Sequence, residues 1–227
     1  MDEIFIIDNG FFMLKITELL EQLKASPYEE IHIVAPHTGH VSFEKIQPGD
    51  IVYGPGGTWK EKPGTRLATL ERENNPKLIY ALQKGVISDV RVELDGCFVE
   101  AGTRLVTMKH ALTREEVVNL LLRHALHLFN APERAKYYFS PDVDKRIRAG
   151  GVRSVTVHDG MEVFIMSRMK REVPLAYSGP DGLIYAVYFK HTNNVDAGQP
   201  LIGVCPPDQL TAIEDVIMRA QTEWKEE

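Results

Sequence analysis

The sequence predicts a mainly β fold with helical additions at the N-terminus, in the middle and at the C-terminus. Three observations predict it. Short β-favouring runs (Ile31 to Val34, Val86 to Val92, Leu105 to Met108) are separated by Gly, Pro and Asp turns, the pattern of a compact antiparallel structure. Other stretches space their apolar residues three and four apart, which puts them on one face of a helix. A turn signature also occurs twice, as Glu100-Ala101-Gly102 before Leu105 and as Asp196-Ala197-Gly198 before Leu201. The strands therefore come as two similar units.

The elements follow in order. Residues 1–29 form an N-terminal helical segment, with Phe12, Ile16, Leu19, Leu20 and Leu23 on one face and Ser26-Pro27 as its stop. Residues 30–110 form the first β unit. Residues 111–150 read as a helical insertion. Thr113 and Glu116 have the spacing of a capping box, in which hydroxyl and carboxylate each satisfy an orphan backbone amide. The run Val117 to Phe129 is apolar on a broad stripe, and Ser140-Pro141 opens a short helix that Gly150-Gly151 closes. The second β unit spans 151–205. Pro206-Pro207-Asp208 then starts a terminal helix, 206–227, with Leu210, Ile213, Ile217, Ala220 and Trp224 on one side.

Composition limits the function. Hydrophobic residues make up 44% and charged residues 26%, a globular balance. Formal net charge is −6 without a long basic block, which argues against a nucleic-acid partner because phosphate neutralisation needs a clustered positive face. The acidic start Met1-Asp2-Glu3 lacks the basic region of a secretory signal. The apolar run Ile4 to Ile7 is far short of the ~20 residues that span a bilayer. Cys97 and Cys205 lie far apart without metal-type spacing, so two buried, reduced thiols in a cytoplasmic protein are expected.

The repeated elements resemble those of the biotinyl and lipoyl carrier domains. The resemblance implies a flattened barrel of two sheets, the barrel-sandwich hybrid, whose modified lysine sits at the tip of an exposed hairpin between two halves, usually as Glu-Ala-Met-Lys-Met. Ala35-Pro36-His37-Thr38-Gly39 is similar to the family's opening, and Gly49-Asp50 falls at the family interval behind Gly39. After an inserted Gly- and Pro-rich stretch, Tyr53 to Pro63, the segment Gly64 to Glu71 is similar to the strand leading into the hairpin. From Glu71 to Gly85 the match runs without a gap, so Arg72-Glu73-Asn74-Asn75 replaces Ala-Met-Lys-Met and Asn74 stands at the lysine position. An amide nitrogen has its lone pair delocalised into the carbonyl and cannot attack an activated acyl group. Asn tolerates left-handed turns, so this hairpin keeps its shape and carries no covalent cofactor.

In the second unit, Gly182 to Leu201 is similar to the family's later half. Upstream lies Ser167-Arg168-Met169-Lys170-Arg171-Glu172, a Met-Lys pair between two strand runs, with Lys170 one residue further from Gly182 than the family spacing. Gly151 to Val163, read as the first half of this unit, is short and lacks its own Ala-Gly turn. Lys170 is the candidate attachment residue, for covalent biotin ahead of a lipoyl group, in service of carboxylase-type subunits. Met108-Lys109 contains the same dipeptide but follows the closing strand of the first unit, where the family has no attachment hairpin. The other reading is a cofactor-free scaffold or adaptor derived from a carrier.

Nothing else assembles into a reaction centre. His37 with His40 and His124 with His127 (three apart on the expected helix) lack a third ligand. His158-Asp159 has no nucleophile motif beside it. Gly54-Pro55-Gly56-Gly57 is followed by no helix that could receive a phosphate. Arg168, Lys170 and Arg171 form a small basic cluster. Trp59, on the inserted loop, could anchor a partner or pack over the end of the β unit. Catalytic and metal-ligating residues are not expected, and the chain reads as a carrier or scaffold rather than an independent enzyme.

Overall fold

Among the described residues, strands enclose two hydrophobic cores and follow one another around each in the same spatial order. A computed structural model describes residues 15–57 and 61–225; Phe12 and Trp59 lie outside them. The chain divides into two compact units, one of residues Ala25–Thr113 and the other of the N-terminal segment to Lys24 with Arg114–Lys225. All sheets are antiparallel.

The unit of residues Ala25–Thr113 holds eight strands: β1 Tyr28–Val34, β2 Gly39–Phe43, β3 Ile51–Val52, β4 Arg66–Arg72, β5 Asn75–Tyr80, β6 Gly85–Val90, β7 Phe98–Val99 and β8 Arg104–Ala111. They form two four-stranded sheets, ordered β1-β8-β6-β3 and β5-β4-β2-β7. Alternation sends Leu67, Leu70, Ile87, Leu105 and Met108 into the core, where each is essentially inaccessible. Met108-Lys109 lies within β8, with Met108 buried and Lys109 paired to Glu30 and Val86. No turn presents that lysine.

In the other unit the described elements are helix α1 (residues 15–25, its last residue falling in the first unit), then α2 Arg114–Ala125, β9 His127–Asn130, β10 Lys136–Phe139, α3 Pro141–Gly150, β11 Thr156–Val157, β12 Glu162–Arg168, β13 Arg171–Ala176, β14 Gly182–Val187, β15 Pro200–Cys205 and α4 Leu210–Glu223. Its sheets run β11-β14-β15-β9 and β10-β12-β13. Strand for strand these are the sheets of the first unit, with a single bridge between Ala135 and Val195 in the place of the β2–β7 pair. Equivalent residues stand 96 positions apart through most of the repeat: Arg72 opposes Asn75 as Arg168 opposes Arg171, and Phe43 opposes Ala68 as Phe139 opposes Phe164. Even the bulges recur, between Arg66 and Ala68 and again between Glu162 and Phe164. Gly85 and Gly182 share a register, and each is required. A Cβ at Gly85 would meet the Lys109 carbonyl oxygen at 2.7 Å, and one at Gly182 would press still closer on that of Cys205.

The stretch expected as a helical insertion differs in a definite way. Helix α2 ends at Ala125, and Leu126 to Phe129, read as its last turn, passes into β9 instead. Paired to β15, β9 buries Phe129 against Phe164. His127 thereby leaves the helix carrying His124 and packs edge-on to Tyr177. The second unit starts upstream of residue 151, and its opening is Ala131-Pro132-Glu133-Arg134-Ala135, equivalent to Ala35-Pro36-His37-Thr38-Gly39. Backbone bonds match: Ala35 N–H donates to Thr103 and Ala131 N–H to Gln199, while Gly102 and Gly198 donate back. Strand β10, helix α3 and the 3-10 turn Val152–Ser154 lie between this opening and β11. Ser140 is the N-cap of α3 without a side-chain bond to the helix amides, and its hydroxyl donates to the Glu162 carbonyl at 3.0 Å.

Helices α1, α2 and α4 bury the faces that their periodicity marks: Ile16 and Leu20, then Val117, Leu121 and Ala125, then Ile213, Val216, Ile217 and Ala220. Trp224 ends α4, its N–H bonded to the Ala220 carbonyl and its ring buried. The thiols differ from expectation, since Cys205 is buried but Cys97 is exposed in the turn before β7. Burial pushes the Cys205 thiol up to about 11, with Asp208 and Glu214 adding to the shift. Because the thiolate is the reactive form, a thiol reagent at mildly alkaline pH should label Cys97 in the native protein and reach Cys205 only on unfolding. Mass spectrometry of labelled peptides checks this. Rapid native labelling of Cys205 would contradict its burial.

Candidate attachment hairpin

Strands β12 and β13 form a hairpin closed by the Arg168–Arg171 pair, leaving Met169 and Lys170 as a two-residue turn. Both have left-handed backbones, with φ of 48° and 63°. Positive φ at both central residues is the turn geometry that follows the twist of a hairpin. Lys170 projects at the tip and is exposed. Met169 is 85% exposed. The first unit has the same turn in the same register, between Arg72 and Asn75, with Glu73 at 52° and Asn74 at 59°. Asn74 and Lys170 therefore occupy equivalent positions in the two units. The structure brings the sequence-derived candidates to matching hairpin tips.

The two turns differ at their second central residue, Asn74 against Lys170, while at the first both carry a residue unsuited to the left-handed region, Glu73 and Met169. Asn accepts the left-handed region because its short polar side chain bonds locally. Neither Met nor Lys has that compensation, and a left-handed L-residue costs about 1–2 kcal/mol. Exchange of Met169-Lys170 for Asn-Gly should stabilise the unit by about 1–2 kcal/mol, read as a shift in the denaturant midpoint at constant slope. A loss of stability would show that the turn is held by contacts rather than tolerated.

The surroundings of the tip are asymmetric. Arg168 pairs with Glu133, which lies in the connection between β9 and β10. The Glu133 carbonyl also accepts the Tyr137 hydroxyl at 2.5 Å. Among the described residues, neither Lys170 nor Arg171 forms an ion pair. Glu133, Met166, Arg168, Met169, Arg171 and Val173 line an open depression of about 480 Å³ beside the turn. A primary amine at the apex, clear of the sheet, is the group that acyl transfer to a lysine requires. The equivalent amide at Asn74 cannot serve. The residues present therefore fit a covalent acyl cofactor at Lys170 and do not fit one at Asn74.

Sequence reasoning missed the opening of the second unit, and its signal was the pair Ala131-Pro132, spaced from Gly198 as Ala35-Pro36 is from Gly102. The histidines do other work: His37 Nδ1 lies 2.8 Å from the Thr38 carbonyl and His40 packs against Phe98. Among the described residues, no three His, Cys, Asp or Glu side chains gather as a metal site. No helix there is long and apolar enough to cross a membrane. In comparisons with protein-family models and with curated proteins, nothing matches the chain.

Proposed function

We propose that the protein is a tandem carrier of the biotinyl/lipoyl kind, two barrel-sandwich hybrids in one chain, with covalent biotin on Lys170 and a silent first hairpin. The observation that carries the reading is the equivalence of the two turns, one with an exposed lysine after a methionine and the other with asparagine. The strand orders support it, since each unit sets the hairpin between two halves, and the later half of each contains an acidic-Ala-Gly turn before its last strand.

Attachment asks for one step. The deprotonated Lys170 amine attacks the acyl carbon of an activated biotinyl adenylate. An amide C–N bond forms, the C–O bond to phosphate breaks with release of AMP, and the amine proton passes to the medium. When bound, biotin supplies a ureido nitrogen that accepts and gives up a carboxyl group. The chain supplies position. The ladder from Glu162–Ala176 to Arg168–Arg171 holds the tip clear of the core, and the left-handed turn fixes the direction in which Lys170 leaves the backbone. The partners are the carboxylase-type subunits between which such a group shuttles, and the chain carries no reaction of its own.

Co-expression with a biotin ligase, followed by a streptavidin blot and intact mass, tests the reading. One added biotinyl group supports it. An unmodified chain in cells that biotinylate their other carriers overturns it and leaves a cofactor-free scaffold.

A further inference from the structure

Resting on that reading of Lys170, we infer that Arg168, Met169 and Arg171 are the recognition element by which the modifying enzyme selects the second hairpin, and that this enzyme offers carboxylates around an apolar recess at its active-site mouth. The argument begins with reach. An amine at the second position of a two-residue turn is approached only with its flanking residues inside the contact. Those residues are two arginines directly opposite each other in the ladder. Their side chains share a face with the next pair but one, Met166 and Val173, and all four line the depression that Met169 borders.

Like charges set opposite each other in a sheet are destabilising. Glu133 relieves one of them, Arg168. Arg171 forms no ion pair among the described residues, and beside Lys170 it leaves a cationic tip on a chain of formal charge −6. The opposite face carries Glu172 across from Ser167, with Lys136 also paired to Ser167, so it does not reverse the sign. The first hairpin is different. Its tip has Arg72 paired to Glu73 at 3.6 Å, with two asparagines following. A partner that complements the second tip gains little from the first. Complementary charge acts mainly on encounter and partner choice, so the selection is electrostatic and salt-sensitive.

The full-length chain tests this, with the host's biotin ligase, biotin and ATP as the probe and initial biotin incorporation as the readout. Arg171→Glu should slow incorporation about tenfold at low salt, and Arg171→Lys should not. Wild-type incorporation should fall steeply toward about 1 M salt, where the screening length contracts to about 3 Å. In a Lys170→Ala background, Asn74→Lys alone should be modified poorly, whereas Glu73→Met, Asn74→Lys and Asn75→Arg together should restore incorporation at the first hairpin. Circular dichroism confirms that each variant is folded. A graft no better than Asn74→Lys alone, or a rate indifferent to Arg171→Glu, overturns the inference while labelled wild type keeps the carrier reading. Unlabelled wild type removes both.

Discussion

Lys170→Arg yields a protein that folds as the wild type does and accepts no biotin. The substitution keeps the positive charge at the tip and replaces an acylable amine with a guanidinium that stays protonated throughout the accessible pH range. Lys170 is exposed, so no packing is lost, and surface changes of this kind stay within about 0.5 kcal/mol. The expected result is complete loss of streptavidin signal with an unchanged thermal midpoint. Lys109 is not expected to substitute, because it sits in the β8 ladder with strands on both sides. Signal persisting in Lys170→Arg would move the attachment point elsewhere and remove the equivalence of the two turns as an argument for function.

The second large effect is structural. Phe164→Ala should destabilise the unit that contains it by about 3–5 kcal/mol, measured by chemical denaturation. Phe164 is fully buried and lies at the centre of an aromatic cluster. Its ring stacks on Phe129 at 5.9 Å and on Phe139 at 5.2 Å, and meets Phe189 edge-on at 5.6 Å. The equivalent residue in the first unit is Ala68, also fully buried. The neighbours differ as well: Phe129, which stacks on Phe164, stands where Ile33 stands in the first unit, each in the matching ladder position. An alanine introduced at 164 inherits aromatic neighbours that cannot close around it, and the cavity is what costs. A loss below about 1 kcal/mol would mean that the cluster repacks and is not the keystone of this core.

That exchange of core residues also explains which parts of the fold were legible in the sequence. Glycines at Gly85 and Gly182 are fixed by backbone carbonyls rather than by packing, so they survive in both units and mark the register. The acidic-Ala-Gly turns survive for a similar reason: Gly102 and Gly198 have φ of 85° and 80°. The core itself carries no such constraint. Val41-Ser42 became Tyr137-Tyr138, and with them the likeness of β2 to β10 disappeared. Helix α3 then moved that opening away from the rest of its unit. Leu126 to Phe129 is a short apolar run that continues a helical stripe, and periodicity alone does not distinguish a strand there from another helical turn.

The candidate hairpins were legible on one side more than the other. Asn74 stands out through the resemblance that runs ungapped from Glu71 to Gly85. Lys170 stood out as part of a Met-Lys pair, yet its equivalence to Asn74 depends on the ladder, in which Arg168 opposes Arg171 as Arg72 opposes Asn75. The role of Glu133 was not legible. It reaches Arg168 from a connection that precedes β10, and no spacing rule links residues 35 positions apart.

Intact mass of the protein isolated from its native host, with fragmentation to locate any adduct, decides whether Lys170 is an attachment point. The expected mass is that of the sequence plus one biotinyl group, located on Lys170, with the peptide containing Asn74 unmodified. An unmodified mass from cells whose other biotin carriers are labelled would contradict it.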